Sequence, residues 1–150
     1  MDAAFYDAFL NNYQTILRQF QGGHHQANCT ALACAVDNYL STGAITRISG
    51  FASGAGFIQT GGTPLRQASL PAIINIVQHG ANGNHLVIEA ENRLGDRHHF
   101  ANILKIGRNN LYYVDGFNVQ QPVCDTNIRG YLSWATIFHY SIGLRVRMGS

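Results

Sequence analysis

Cys29 stands in the stretch Gln26-Ala27-Asn28-Cys29-Thr30-Ala31-Leu32-Ala33-Cys34-Ala35-Val36. A loop rich in Gly and His (Gly22, Gly23, His24, His25) leads into it. Apolar residues then recur at Leu32, Ala33, Val36, Tyr39 and Leu40, which is helical spacing, and Gly43 is the expected C-cap. Cys29 therefore falls at or just inside a helix N-terminus. The amide N–H groups and the positive dipole end found there favour a thiolate. The same amides can hold the oxyanion formed when a thiolate attacks a carbonyl. The competing reading is a small buried residue without chemistry.

A cysteine nucleophile needs a base, and the base needs an orienting group. The chain has seven histidines. His24 and His25 lie in the loop before Cys29, His79 ends a helix, His85 begins a strand and His139 lies in the last strand; each reads as a surface or capping residue. His98-His99 differs. The pair opens a strand that returns through a hairpin to Asp115, so the hairpin brings base and acid together. In a strand His98 shares a face with Phe100, Asn102, Leu104 and Ile106, and His99 with Ala101 and Ile103. A four-residue turn would set Asn102 opposite Asp115, on the His98 side. A three-residue turn would set Ile103 opposite Asp115, on the His99 side. The residues alone leave both registers open.

A metal site is not expected. His24-His25, His98-His99 and Cys124-Asp125 can be pictured as ligands, but no CxxC or HxxxH spacing supports them. Cys34 reads as core, facing away from Cys29, and Cys124 as incidental.

The elements that must position these residues are legible in outline. Residues 3–20 form an amphipathic helix with Phe5, Phe9, Tyr13, Ile16, Leu17 and Phe20 on one face and Asp2 at its start. The helix of Cys29 runs to about Thr42. Ala44 to Gln67 opens with a possible short strand at Ile45–Ile48 and continues as a Gly-rich flexible loop. That loop lacks the Lys and Ser/Thr ending of a phosphate loop. Ser69 and Pro71 start a helix that Gly80 ends. Leu86 to Ala90 is a strand, Glu91 to Arg97 a turn, His98 to Ile106 a strand, Gly107-Arg108-Asn109-Asn110 a tight turn, and Leu111 to Val114 the returning strand. Gly130 to Thr136 is a short helix or bend, and Phe138 to Val146 a last strand. Helices first and antiparallel strands after is the pattern of an α+β domain.

The 150 residues suit one domain. With 46% hydrophobic and 12% charged residues, the composition argues against disorder and against a solvated helical array. A net charge of +2, with scattered basic residues, does not point to nucleic acid. No apolar stretch is long enough to span a membrane, and no secretory signal opens the chain. Three cysteines without framework spacing imply a reducing compartment.

Asn28-Cys29 at a helix start, a His-x-x-Asn strand (His99, Phe100, Ala101, Asn102) and Tyr113-Val114-Asp115-Gly116 together resemble the papain-fold toxin family. This is a group of papain-like polymorphic toxins that includes glutamine deamidases. The helix ending Tyr39-Leu40-Ser41-Thr42-Gly43 resembles the family's first motif, and the resemblance covers roughly residues 26 to 118. It implies a papain-like α+β fold with N-terminal helices packed on an antiparallel sheet. It implies Cys29 as nucleophile, His99 as general base and then acid, and Asp115 as the orienting residue. Gln26 and Asn28 are the expected oxyanion or substrate-binding residues, although Gln26 lies nearer the cysteine than the papain-like pattern places its oxyanion Gln. The family's Gln soon after the acid has no counterpart, since Gly116-Phe117-Asn118 follows.

The resemblance further implies a secreted or injected effector acting in the target-cell cytoplasm on a protein substrate, restrained in the producer by an immunity protein. No cofactor, nucleic acid or membrane partner is expected. The first functional expectation is a protein glutamine deamidase. The alternatives are a cysteine protease with the same triad, a peptidoglycan amidase of similar fold, and a binding module whose cysteine is structural.

Overall fold

The computed structural model describes residues 2–21, 29–45, 57–59, 64–116, 118–121, 123–142 and 146–148. Gln26 and Asn28 lie outside the described residues. So do the 22–28 loop and most of the Gly-rich segment before residue 64.

Helix α1 (Ala3–Gln21) starts as its sequence dictates, with the Phe5 amide donating to Asp2 Oδ1 at 3.0 Å. Asn12 leaves helical geometry and bends it. Phe9, Ile16, Leu17 and Phe20 are buried. Helix α2 (Cys29–Thr42) is buried nearly all round, from Ala31 to Asp37 and again at Leu40. One side meets Phe5, Phe9 and Phe20 of α1 through Tyr39. The other side places Ala33 and Cys34 against Val87 and Phe100. Gly43, at φ 76°, closes α2 in the left-handed conformation that glycine adopts freely, and its amide donates to Tyr39 O at 2.7 Å.

The sheet contains β2 (Arg66–Gln67), β3 (His85–Glu91), β4 (His98–Ile106), β5 (Asn110–Asp115), β6 (Asn118–Gln120) and β7 (Ile137–Ser141). Their order is β2-β7-β3-β4-β5-β6, and every neighbouring pair is antiparallel. A separate two-stranded ribbon pairs β1 (Phe57–Gln59) with β8 (Val146–Met148). With helices α3 (Leu70–Gln78) and α4 (Asp125–Tyr131), the described residues form an α+β architecture of four helices and a six-stranded antiparallel sheet.

Strand alternation divides the core between the two faces of the sheet. Leu86, Ile88, Ala101, Ile103, Leu111 and Tyr113 pack with α3 and α4. Leu104, Ile106 and Val114 pack with α1 and α2. The N-terminal helices thus lie on the sheet as expected, while α3 and α4 cover its other face. Ser69 caps α3 through a bond from the Ala72 amide, and Pro71 sits in the first turn, where its missing N–H costs nothing.

Several expectations need correction. The segment read as a flexible loop to Gln67 contributes β1 and β2. The short C-terminal helix begins at Asp125, not Gly130. The long last strand is two strands, β7 and β8, placed in different sheets. Strand β6 was not anticipated; three residues are too few for a period to show. The β4–β5 turn is the three-residue one, Gly107 to Asn109, because Ile106 pairs with Asn110. Extending that register sets Asp115 level with Ala101, not Ile103. The two positions share a face, so the acid still falls on the His99 side.

Candidate active site

Cys29 is the first residue of α2. Its helix is docked four residues later by Asn102, whose buried side-chain amide donates to Ala33 O at 2.9 Å. Asn102 lies three residues beyond His99 on β4, so one hydrogen bond ties the strand of the imidazole to the helix of the thiol. Such a bond contributes about 1 kcal/mol net, and a group left unsatisfied there costs ~1–3 kcal/mol. Its larger consequence is positional.

Because Asp115 ends β5 level with Ala101, His99 projects past the end of that strand. His99 Nε2 meets Asp115 Oδ1 at 2.8 Å. Asp115 Oδ2 accepts from the Tyr113 hydroxyl at 2.9 Å, so both carboxylate oxygens are engaged. On its other side His99 faces the Cys29 thiol, near enough for each group to shift the other, while Nε2 is committed to Asp115.

Electrostatics follow this order. Burial pushes the Cys29 thiol up, but bonds from the His99 ring, the Phe100 backbone and the Thr30 hydroxyl, with the His99 charge, bring it below its ordinary 9.0. The hydrogen bond to Asp115, then the bond to Cys29, raises His99 to about 10 against the opposing effect of burial. The usual order of the two groups is inverted. The first proton to leave the pair comes from sulfur, which gives a thiolate beside an imidazolium. Burial, and then the charge of Asp115, raise the Tyr113 hydroxyl, which stays protonated and donating.

The structure brings together Cys29, His99 and Asp115. It does not bring in His98, whose Nε2 turns back to Gly95 O at 2.9 Å. His79 caps its own helix through Asn75 O. His85 meets Ser41 and Asp37 toward the opposite end of α2. Cys124 is the exposed N-cap residue of α4, and Asp125 pairs with Arg129, so neither approaches the site. Sequence reasoning assigned no role to Tyr113. The period-two spacing to Asp115 was the available signal, since residues i and i+2 share a face. Tyr131 of α4 stacks on the Tyr113 ring at 5.5 Å and backs this arm of the site. A second cluster of possible metal ligands, Glu89, Glu91 and His98, lies nearby on β3 and β4.

No family model, curated protein or solved structure matches the chain.

A thiolate, an imidazolium and an orienting carboxylate in line can perform acyl transfer through a thioester. Asp115→Asn tests the orienting role. The amide keeps the shape but removes the charge that favours imidazolium, so turnover should fall substantially. The pH at which Cys29 becomes alkylatable by iodoacetamide should rise, and Asp115→Ala should do at least as much harm. The measurement is the pH profile of alkylation; an unchanged profile with unchanged turnover would reduce Asp115 to a strand-ending turn residue.

Proposed function

We propose that this chain is a papain-like toxin or effector domain that deamidates a glutamine side chain of a target protein. The observation that carries the reading is the series Cys29, His99, Asp115, in which the imidazole bonds the carboxylate at 2.8 Å and neighbours the thiol, so that the thiol is lowered and the imidazole raised to about 10. The sequence motifs point to the same residues in the same roles.

The steps follow from the geometry. The Cys29 thiolate adds to the carboxamide carbon of the substrate. The resulting oxyanion is met by the Cys29 amide, which at the first position of α2 has no intrahelical acceptor. Imidazolium His99 gives its proton to the departing nitrogen, ammonia leaves, and a thioester remains. Neutral His99 then takes a proton from water, whose oxygen attacks the thioester and releases the acid and the thiolate. Asp115 holds the ring through both halves and stabilises each imidazolium. An immunity protein over the mouth of this site would protect the producing cell.

The test is intact-mass analysis of recipient-cell proteins after exposure to the active domain and to its Cys29→Ala form. Ammonia release, with the small mass gain of amide-to-acid conversion on a target, is the expected result. New peptide termini would make the chain a protease. No covalent change, with Cys29 inert to iodoacetamide at neutral pH, would make it a binding module.

A further inference from the structure

On the sheet face that carries α2, four side chains from three adjacent strands converge. Glu89 and Glu91 come from β3, His98 from β4 and His139 from β7. The register places them side by side, with Glu89 opposite His139 and Glu91 opposite His98. One ligand atom each from Glu89, Glu91 and His98 lie within 4.8 Å of one another. His139 Nδ1 is 3.0 Å from Glu89 Oε1 and 3.8 Å from Glu91 Oε2, and His98 Nδ1 is 3.6 Å from Glu89 Oε2. Donor atoms around a tetrahedral ion with bonds of ~2.0–2.1 Å stand roughly 3.3 Å apart, close to the 3.6 Å between His98 Nδ1 and Glu89 Oε2.

Two further features point to a ligand at this place. His139 Nδ1 is buried and lacks a hydrogen-bond partner among the described residues, although a carboxylate oxygen is 3.0 Å away. The two atoms converge without the alignment of a hydrogen bond. His98 has its other ring nitrogen, Nε2, engaged with Gly95 O at 2.9 Å. A carbonyl can only accept, so this bond fixes the proton on Nε2 and turns Nδ1 toward Glu89. A metal-ligating histidine is oriented in this way by an outer partner. Gly95 itself sits at φ +71°, and a Cβ there would come within 3.1 Å of Glu91 Oε1, so the turn also leaves that carboxylate room.

We propose that Glu89, Glu91 and His98 bind one divalent transition-metal ion, with His139 beside them against Glu89 and with zinc the best fit to the donor set. An imidazole with two carboxylates suits a borderline ion, whereas calcium and magnesium take all-oxygen shells. The ion would join β3 to β4 at the end of β4 that bears His99. It uses none of Cys29, His99 and Asp115, and His98 and His99 leave the strand on opposite faces.

The test uses a Cys29→Ala, Cys124→Ala background, so that neither accessible thiol competes for metal. The protein is stripped with chelator and titrated with Zn²⁺ by calorimetry and with Co²⁺ by absorption. The expected result is one equivalent bound, with a Co²⁺ spectrum free of thiolate charge transfer. Glu89→Gln and Glu91→Gln should each weaken binding by at least the ~10–100-fold that an outer-shell change costs. Should either variant fail to fold by circular dichroism, His98→Ala, at the most exposed donor, carries the same expectation. Absence of saturable one-to-one uptake would overturn the proposal and leave a cluster of histidine–glutamate ion pairs. Uptake indifferent to these substitutions in folded protein would overturn it equally.

Discussion

Cys29→Ala is expected to lower turnover by a factor on the order of 10⁶, the scale on which removal of a covalent nucleophile abolishes catalysis. The fold should survive. Cys29 is only partly buried at the first position of α2, and α2 remains held by its contacts with α1 and by the Asn102 bond. Cys34→Ala and Cys124→Ala should keep most activity, since neither thiol reaches His99. The wild-type pH profile supplies a second check. Turnover should rise with pH as Cys29, lowered from 9.0, ionises. It should fall again as pH passes about 10, where His99 loses the proton that the leaving nitrogen needs. Steady-state ammonia release and circular dichroism of each variant decide the matter; a fully active Cys29→Ala protein would end the enzymatic reading.

His99→Ala is expected to cost at least ~10²-fold in rate, the usual minimum for a lost general base. It should also raise the thiol toward its ordinary value and slow alkylation at neutral pH. His98→Ala, assayed in chelated buffer, should lose far less, because its ring turns to Gly95 rather than to Cys29. The reverse ranking would place the base on the other face of β4. Stability should respond as well. His99 is raised from 6.5 to about 10 in the folded protein, so its contribution is complete below 6.5 and is lost as pH rises through about 10. The stability gap between wild type and His99→Ala should therefore narrow in alkali, which urea titrations across that range would reveal.

Local rules carried much of this fold. Asp2, Ser69, Pro71 and Gly43 mark helix ends by physics confined to a few residues, and all four act as expected. The strand from His98 to Ile106 has the bounds its alternation suggested. What could not be read depended on partners distant in sequence. The hairpin register turned on a single residue of the turn, and that residue decided between His98 and His99. The short strands β1, β2 and β6 exist through pairing and are too brief to carry a period. The break between β7 and β8 lies in a run whose alternation continues across it. Tyr113 and the Glu89, Glu91, His98, His139 cluster were hidden for the same reason, since each is assembled by register across strands. Asn102 was legible as part of a motif, but its bond to Ala33 emerges only when α2 lies on β4.

Cys34 gives this fold a clock of its own. It lies under α2 against Val87, 1% exposed, its thiol pushed up to about 12 by burial and by Asp37. No alkylating reagent reaches it while the helix lies on the sheet. Its labelling rate in native buffer, divided by that of a free thiol, is therefore the equilibrium constant for lifting α2 away. The same lift carries Cys29 away from His99. Two thiols on one helix then report on different timescales: Cys29 on the acid–base state of the closed protein, and Cys34 on how often that protein comes apart.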